Sequence, residues 1–174
     1  MSKILFVSGV HGVGKSTLCK EISARFGWSH YACSDLIKQN SSYVESSKQV
    51  SSAKKNQEAL LHGLRLIDDN VILLDGHFCL LSSDSSIIKL DTSVFDSISP
   101  IGIINVTCNE NMIFERLMNR DGKGVGLEVL KILQASESSQ AYQYSEKSKI
   151  PLLKYNSPDL TENLLLSLDE FYFE

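Results

Sequence analysis

The sequence predicts an α/β fold built on a parallel sheet, and three observations carry that expectation. Short apolar runs alternate with longer stretches of helical periodicity, the order expected when each strand is followed by a crossover helix. The runs at 4–7, 71–74, 101–106 and 150–153, with a weaker one at 30–33, are continuous rather than alternating, as strands covered on both faces should be. The 174 residues, 43% hydrophobic and 22% charged, suit a core that needs neither disulfides nor a structural metal. Residues 1–174 are expected to form a single domain.

Taken in order, Ile4-Leu5-Phe6-Val7 leads through a glycine-rich turn into a helix expected at about 15–26. The weak run at 30–33 and a helix at about 54–68 come next. The run at 71–74 then ends in Asp75-Gly76-His77. Pro100 and Pro151 each stand at the mouth of a strand, where a missing amide is tolerated. Further helices are expected at about 109–120, 125–147 and 161–172. The last has Thr161 as its N-cap and Leu164, Leu165, Leu168 and Phe171 as its apolar stripe. Two stretches interrupt the pattern. Residues 39–56 are rich in Ser and Lys, and residues 82–99 carry Ser82-Ser83-Asp84-Ser85-Ser86 before a short helix. Each reads either as a solvated surface loop or as a mobile cover over a site.

Composition narrows the function. A net charge of −4 argues against broad electrostatic capture of nucleic acid, so no direct DNA binding is expected. No window approaches the ~20 apolar residues of a membrane span, so no membrane partner is expected. Cys19, Cys33, Cys79 and Cys108 show neither C-x-x-C spacing nor a Cys/His zinc pattern. The opening apolar run is too short for a signal core, which favours a reduced, cytoplasmic protein.

The strongest motif is Gly9-Val10-His11-Gly12-Val13-Gly14-Lys15-Ser16-Thr17, which fits G-x-x-x-x-G-K-S/T between a predicted strand and a predicted helix. Gly9, Gly12 and Gly14 let the backbone take positive φ, and with Val13 they would turn amides toward phosphate oxygens at a helix N-terminus. Lys15 is expected to bridge the β- and γ-phosphates of ATP, Ser16 to ligate Mg²⁺, and Thr17 to add a phosphate contact. His11 is assigned no chemistry. Asp75, leaving the C-terminal edge of an apolar strand, would hold the magnesium hydration shell from the same rim. His77 is either a hydrogen-bonded rim histidine or a group that positions water or phosphate. Arg116 and Arg120, four apart, share one helix face. They form either a phosphate clamp or a pair of cations opposing the helix dipole.

These residues together resemble the P-loop nucleoside monophosphate kinases. The sequence looks most like the archaeal-type adenylate kinases and the adenylate-kinase-like ATPases of ribosome assembly. Ser34-Asp35-Leu36-Ile37 matches an aspartate-led acceptor segment, and Asp75-Gly76-His77 matches a D-x-H element. Glu115-Arg116-Leu117 and Arg120 enter a candidate lid at 116–126, and Tyr155-Asn156-Ser157 stands where the family lines its adenine pocket. The resemblance implies a three-layer P-loop NTPase sandwich, with a five-stranded parallel sheet and helices on both faces. It also implies ATP with Mg²⁺, an acceptor-binding segment at 34–68, and Asn156 and Arg120 at the nucleotide. The chain departs from the pattern at Lys38, where many relatives have arginine, and at His77-Phe78-Cys79, which offers none. Lys38, Lys54, Lys55 and Arg65 remain as the acceptor clamp, and Asp35 and His77 as further acceptor contacts. A lysine is a point charge without the planar fork of arginine.

Three functions are expected from these features. The first is phosphoryl transfer from ATP to a nucleoside monophosphate. The second is a kinase for a small-molecule hydroxyl, which would need Asp35 or His77 as a base. The third is an ATPase switch that docks a protein or ribonucleoprotein partner.

Overall fold

The five apolar runs become five strands of one parallel sheet in a computed structural model, which describes residues 2–44, 52–122 and 124–173. The strands are β1 (Lys3–Ser8), β2 (Ser29–Ala32), β3 (Val71–Gly76), β6 (Gly102–Cys108) and β7 (Leu152–Ser157), in the order β2-β3-β1-β6-β7. Antiparallel strands β4 (Cys79–Leu81) and β5 (Ile87–Lys89) make a separate hairpin. The helices are α1 (Lys15–Phe26), α2 (Cys33–Val44), α3 (Ser52–Arg65), α4 (Thr92–Ile98), α5 (Glu110–Asp121), α6 (Leu127–Ser148) and α7 (Glu162–Phe173). The α/β sandwich with helices on both faces is the class expected. Among the described residues, no helix is long and apolar enough to cross a membrane.

Central β1 pairs with β3 on one side and β6 on the other, and Leu5, Phe6 and Val7 are almost wholly buried. Phe6 meets Phe78 and Phe95 edge-on at ring-centroid distances of 5.2 and 5.4 Å. Contacts of that geometry add to the burial of apolar area. They anchor the hairpin and α4 against the central strand.

Three expectations change. The last strand begins later than the apolar run at 150–153. Ile150 donates its amide to Ser145 O, ending α6, and Pro151 has no amide to pair. An edge strand is buried less completely, so Lys154, Tyr155 and Asn156 belong to β7 despite their polarity. The 82–99 stretch is not a loop but the end of a hairpin followed by α4, whose N-cap Asp91 accepts the Ser93 amide at 2.8 Å. Residues 39–44 and 52–56 of the Ser/Lys-rich stretch are helical, closing α2 and opening α3, while 45–51 lie outside the described residues. Serine and asparagine are weak helix formers, so composition hid α2. Close packing on α3 sustains it. A Cβ on Gly63 would sit 2.7 Å from Asn40 Nδ2 and 3.4 Å from Leu36 Cβ. The expected Phe171 contact lies outside the described side chains, whereas Leu164 and Leu168 of α7 are buried as expected.

Candidate active site

The loop between β1 and α1 lies at the C-terminal edge of the sheet, the edge at which open α/β sheets bind ligands. Gly9, Gly12 and Gly14 all take positive φ. At Gly9 (φ 151°) a side chain is also sterically barred, because its Cβ would lie 2.6 Å from Val106 O. Not every loop amide faces the site. Gly9 N–H donates to Glu137 Oε1 at 3.2 Å, and Val13 N–H closes a turn onto Val10 O at 3.3 Å.

Lys15 is 7% exposed and lies beneath the loop. Its Nζ donates to Gly9 O (2.8 Å) and Val10 O (3.2 Å) and stands 3.7 Å from Asp75 Oδ1. Burial pulls its pKa below the usual lysine value, and Asp75 and Glu137 oppose that pull. Ser16 Oγ donates to Asp75 Oδ2 at 3.3 Å, so Lys15, Ser16 and Asp75 form one cluster. Burial works to raise the Asp75 carboxyl. His30, whose Nε2 is 3.5 Å away, outweighs it together with Lys15 and His77, and the carboxyl stays below its ordinary value.

His77 follows on the same rim and packs against His11, with ring centroids 4.2 Å apart. Burial first, then Lys15 and His11, push the His77 pKa down to about 3, so this imidazole is neutral near pH 7. His11 is lowered by burial, Lys15 and Arg120. Sequence reasoning gave His11 no part, and no local signal marks it. Its neighbour arrives from β3.

Arg116 and Arg120 lie on one face of α5 and both line the cleft, but they act differently. Arg116 Nη1 donates to Gly12 O and Val13 O, each at 3.1 Å, and so braces the outer side of the loop. Arg120 grips Asp121 through Nε (2.8 Å) and Nη2 (2.7 Å) at the surface.

Glu137 is the largest omission from the sequence reading. It is 1% exposed, and its carboxylate accepts from three backbone amides. Oε1 takes Gly9 (3.2 Å) and Phe78 (2.8 Å), and Oε2 takes Phe78 (3.0 Å) and Cys79 (2.7 Å). Burial raises its pKa, and the amides and Lys15 pull the other way. A signal existed: Glu137 shares the buried face of α6 with Leu130, Leu133, Ala141 and Tyr144. A carboxylate on an apolar stripe demands partners.

These groups open on a cleft of about 1600 Å³. Its lining includes the polar Lys15, Ser16, Thr17, Asp75 and His77 around the loop and the apolar Ile37, Leu60, Leu80, Ile88 and Phe95 from α2, α3, the hairpin and α4. Asp35, in the first turn of α2, and Lys54 line the cleft, joined by Lys89 and Asp91, which sequence reasoning did not single out. Lys38, Lys55 and Arg65 are not on the described cleft wall, and Arg65 is the last residue of α3, about three turns beyond Lys54. Asn156 is also off the wall. It accepts from Thr107 Oγ1 (3.3 Å) and reaches Asp159 Oδ2 (3.4 Å), and its neighbours Tyr155, Ser157 and Pro158 face the cleft instead. Alternation along β7 separates them.

The family model described as the AAA domain matches residues 8–129. No curated protein matches the sequence. Among solved structures, a candidate kinase from Chloroflexus aurantiacus is similar at TM-score 0.59 and 14% identity, over 98% of this chain and 95% of that one. TT1252 from Thermus thermophilus (TM-score 0.54, 14% identity, 97% of each chain) is also similar. So is a gluconokinase from Sinorhizobium meliloti (TM-score 0.53, 13% identity, 99% of this chain and 96% of that one). At such identities the likeness is one of fold.

Proposed function

The chain belongs to the AAA-domain family and has a P-loop, kinase-like fold, and from that premise we propose that it transfers a phosphoryl group from ATP, with Mg²⁺, to a nucleoside monophosphate. The observation that carries this reading is the cleft. Its volume of about 1600 Å³ exceeds the roughly 300–1,000 Å³ that holds one ligand, leaving room for a donor and an acceptor in line.

The donor end fits its substrate. Lys15 supplies charge at the loop, and Ser16 and Asp75 are already paired where a hydroxyl and a carboxylate would hold a hydrated magnesium ion. Among the described residues there is no cluster of three or more His, Cys, Asp or Glu able to hold a metal by itself. Magnesium would supply charge neutralisation on the phosphates. Arg116 keeps the loop in shape, and Arg120 stands at the cleft beside it.

At the acceptor end, Lys54 and Lys89 offer cations and the apolar wall suits the faces of a base. A monophosphate is mostly dianionic at pH 7, with its second pKa near 6, so its oxygen attacks without a general base. Alignment, neutralisation and exclusion of water then suffice.

A second reading, transfer to a small-molecule hydroxyl, is favoured by one observation: Asp35 lines the acceptor end. Asp35 or His77, both on the cleft wall, would then carry the base's role. The deciding experiment incubates ATP and Mg²⁺ with AMP, CMP, GMP and UMP, and separately with hydroxylated metabolites, and resolves the products by chromatography. Formation of a nucleoside diphosphate is expected. The reading fails if all four monophosphates are inert while a hydroxyl compound is phosphorylated, or if phosphate is merely released.

A further inference from the structure

Glu137 is buried and not on the described cleft wall, yet it bonds to two segments that border the cleft. Its first tie is to Gly9, the residue that opens the donor loop. Its other ties are to Phe78 and to Cys79, the first residue of β4, whose next residue, Leu80, forms part of the acceptor wall. Leu80 pairs with Ile88 across the hairpin, so the hairpin's share of the apolar wall follows directly from the segment that Glu137 grips.

A carboxylate is the one side chain that can serve all three amides. Both of its oxygens accept and neither donates. A glutamine of the same length keeps one acceptor and puts an NH₂ against an N–H. It can satisfy the Gly9 side or the Cys79 side, but not both. An aspartate keeps the charge and loses reach.

We propose that Glu137 is a positioning residue that couples the donor-phosphate loop to the acceptor-side hairpin, so that a nucleotide on one side orders the other. The terms donor and acceptor rest on the transfer reading above. The coupling itself is a statement about two segments joined through one carboxylate. Burial without these bonds would cost the fold, and the same bonds tie the loop at Gly9 to the hairpin at Cys79.

The test uses the full chain and its Glu137→Gln variant, with Glu137→Asp as a second variant should the first fail to fold. Amide hydrogen exchange is followed at Gly9, Phe78 and Cys79 with and without magnesium ATP. In the native protein, ATP should slow exchange at Phe78 and Cys79 as well as at Gly9. In Glu137→Gln magnesium ATP should still slow exchange at Gly9 but no longer at the hairpin, and whichever of Gly9 and Cys79 the amide leaves unbonded should exchange about tenfold faster or more, as for a lost bond to a charged acceptor. Where transfer is measurable, kcat should fall by a similar factor while the KM for ATP changes little. The inference is overturned if the folded variant keeps the hairpin response. It is also overturned if kcat, KM and melting temperature all decline in step, which is the signature of a structural role alone. Failure of the transfer reading shows separately, as native protein that binds ATP and phosphorylates nothing, and the exchange experiment still decides the coupling.

Discussion

At the scale of single residues, the site is a set of charges whose neighbours decide their form. His77 is the clearest case. Burial beside Lys15 and His11 holds it near 3, whereas an unfolded chain would return it to its ordinary 6.5. A value depressed by folding means that the unfolded state binds the proton more readily. The stability this neutral imidazole provides is complete above pH 6.5 and is lost as pH falls through that value toward about 3. His77→Asn should therefore flatten the acid side of the stability profile, read as melting temperature against pH. An unchanged slope between pH 6.5 and 4 would refute the burial argument. Arg116 also changes meaning at this scale. It braces Gly12 and Val13 through their carbonyls, so its replacement would deform the loop before it cost any phosphate contact.

Among elements, α2 and α3 bring Asp35 and Lys54 to the cleft, the residues assigned to the acceptor in the proposed reading. Their spacing depends on Gly63, which lets Leu36 and Asn40 approach. Gly63→Leu should force the pair apart at a cost of about 1–3 kcal/mol, as overpacking does. Chemical denaturation would measure that cost. Acceptor KM should rise while the affinity for ATP is kept, because the donor loop belongs to β1 and α1. Equal losses at both substrates would show that the helix pair is not specific to the acceptor. The hairpin is the corresponding element on the opposite wall. At its tip Asp84 accepts from Ser82 and Ser86, a local lock on a turn that composition alone reads as loose.

On the proposed reading, the whole molecule holds a donor loop and an acceptor wall around one cleft. A ligand that binds only the folded chain stabilises it by mass action. Magnesium ATP at about a hundred times its dissociation constant should add roughly 2.7 kcal/mol. That gain should register as a rise in melting temperature, and chelation of the metal with EDTA should reduce it. Lys15→Ala should abolish most of the rise while leaving the fold, since Lys15 bonds mainly to loop carbonyls. An undiminished shift in that variant would remove Lys15 from the donor site.

By itself the sequence determined the chain order of the five sheet strands and the location of the glycine-rich loop, but not α2 or the β4–β5 hairpin. The strands and the loop are local: an unbroken apolar run, a glycine spacing and a lysine followed by a hydroxyl act within a few residues of one another. Asp75 was legible for the same reason, as the last polar residue of a buried strand. Only the tertiary structure decided the partners. Gly9 meets Glu137 across 128 positions and Arg116 meets Gly12 across 104. Local periodicity says which face of an element is buried, not what lies against it. The acceptor end shows this most plainly. Lys38, Lys55 and Arg65 looked equivalent to Lys54 along the chain, yet only Lys54 of the four is on the described cleft wall: Lys55 stands about 100° round α3 from it, and Arg65 shares its face but lies about three turns further on. The His11–His77 contact arises in the same way, from two strands laid side by side in register, with Ser8 opposite Gly76.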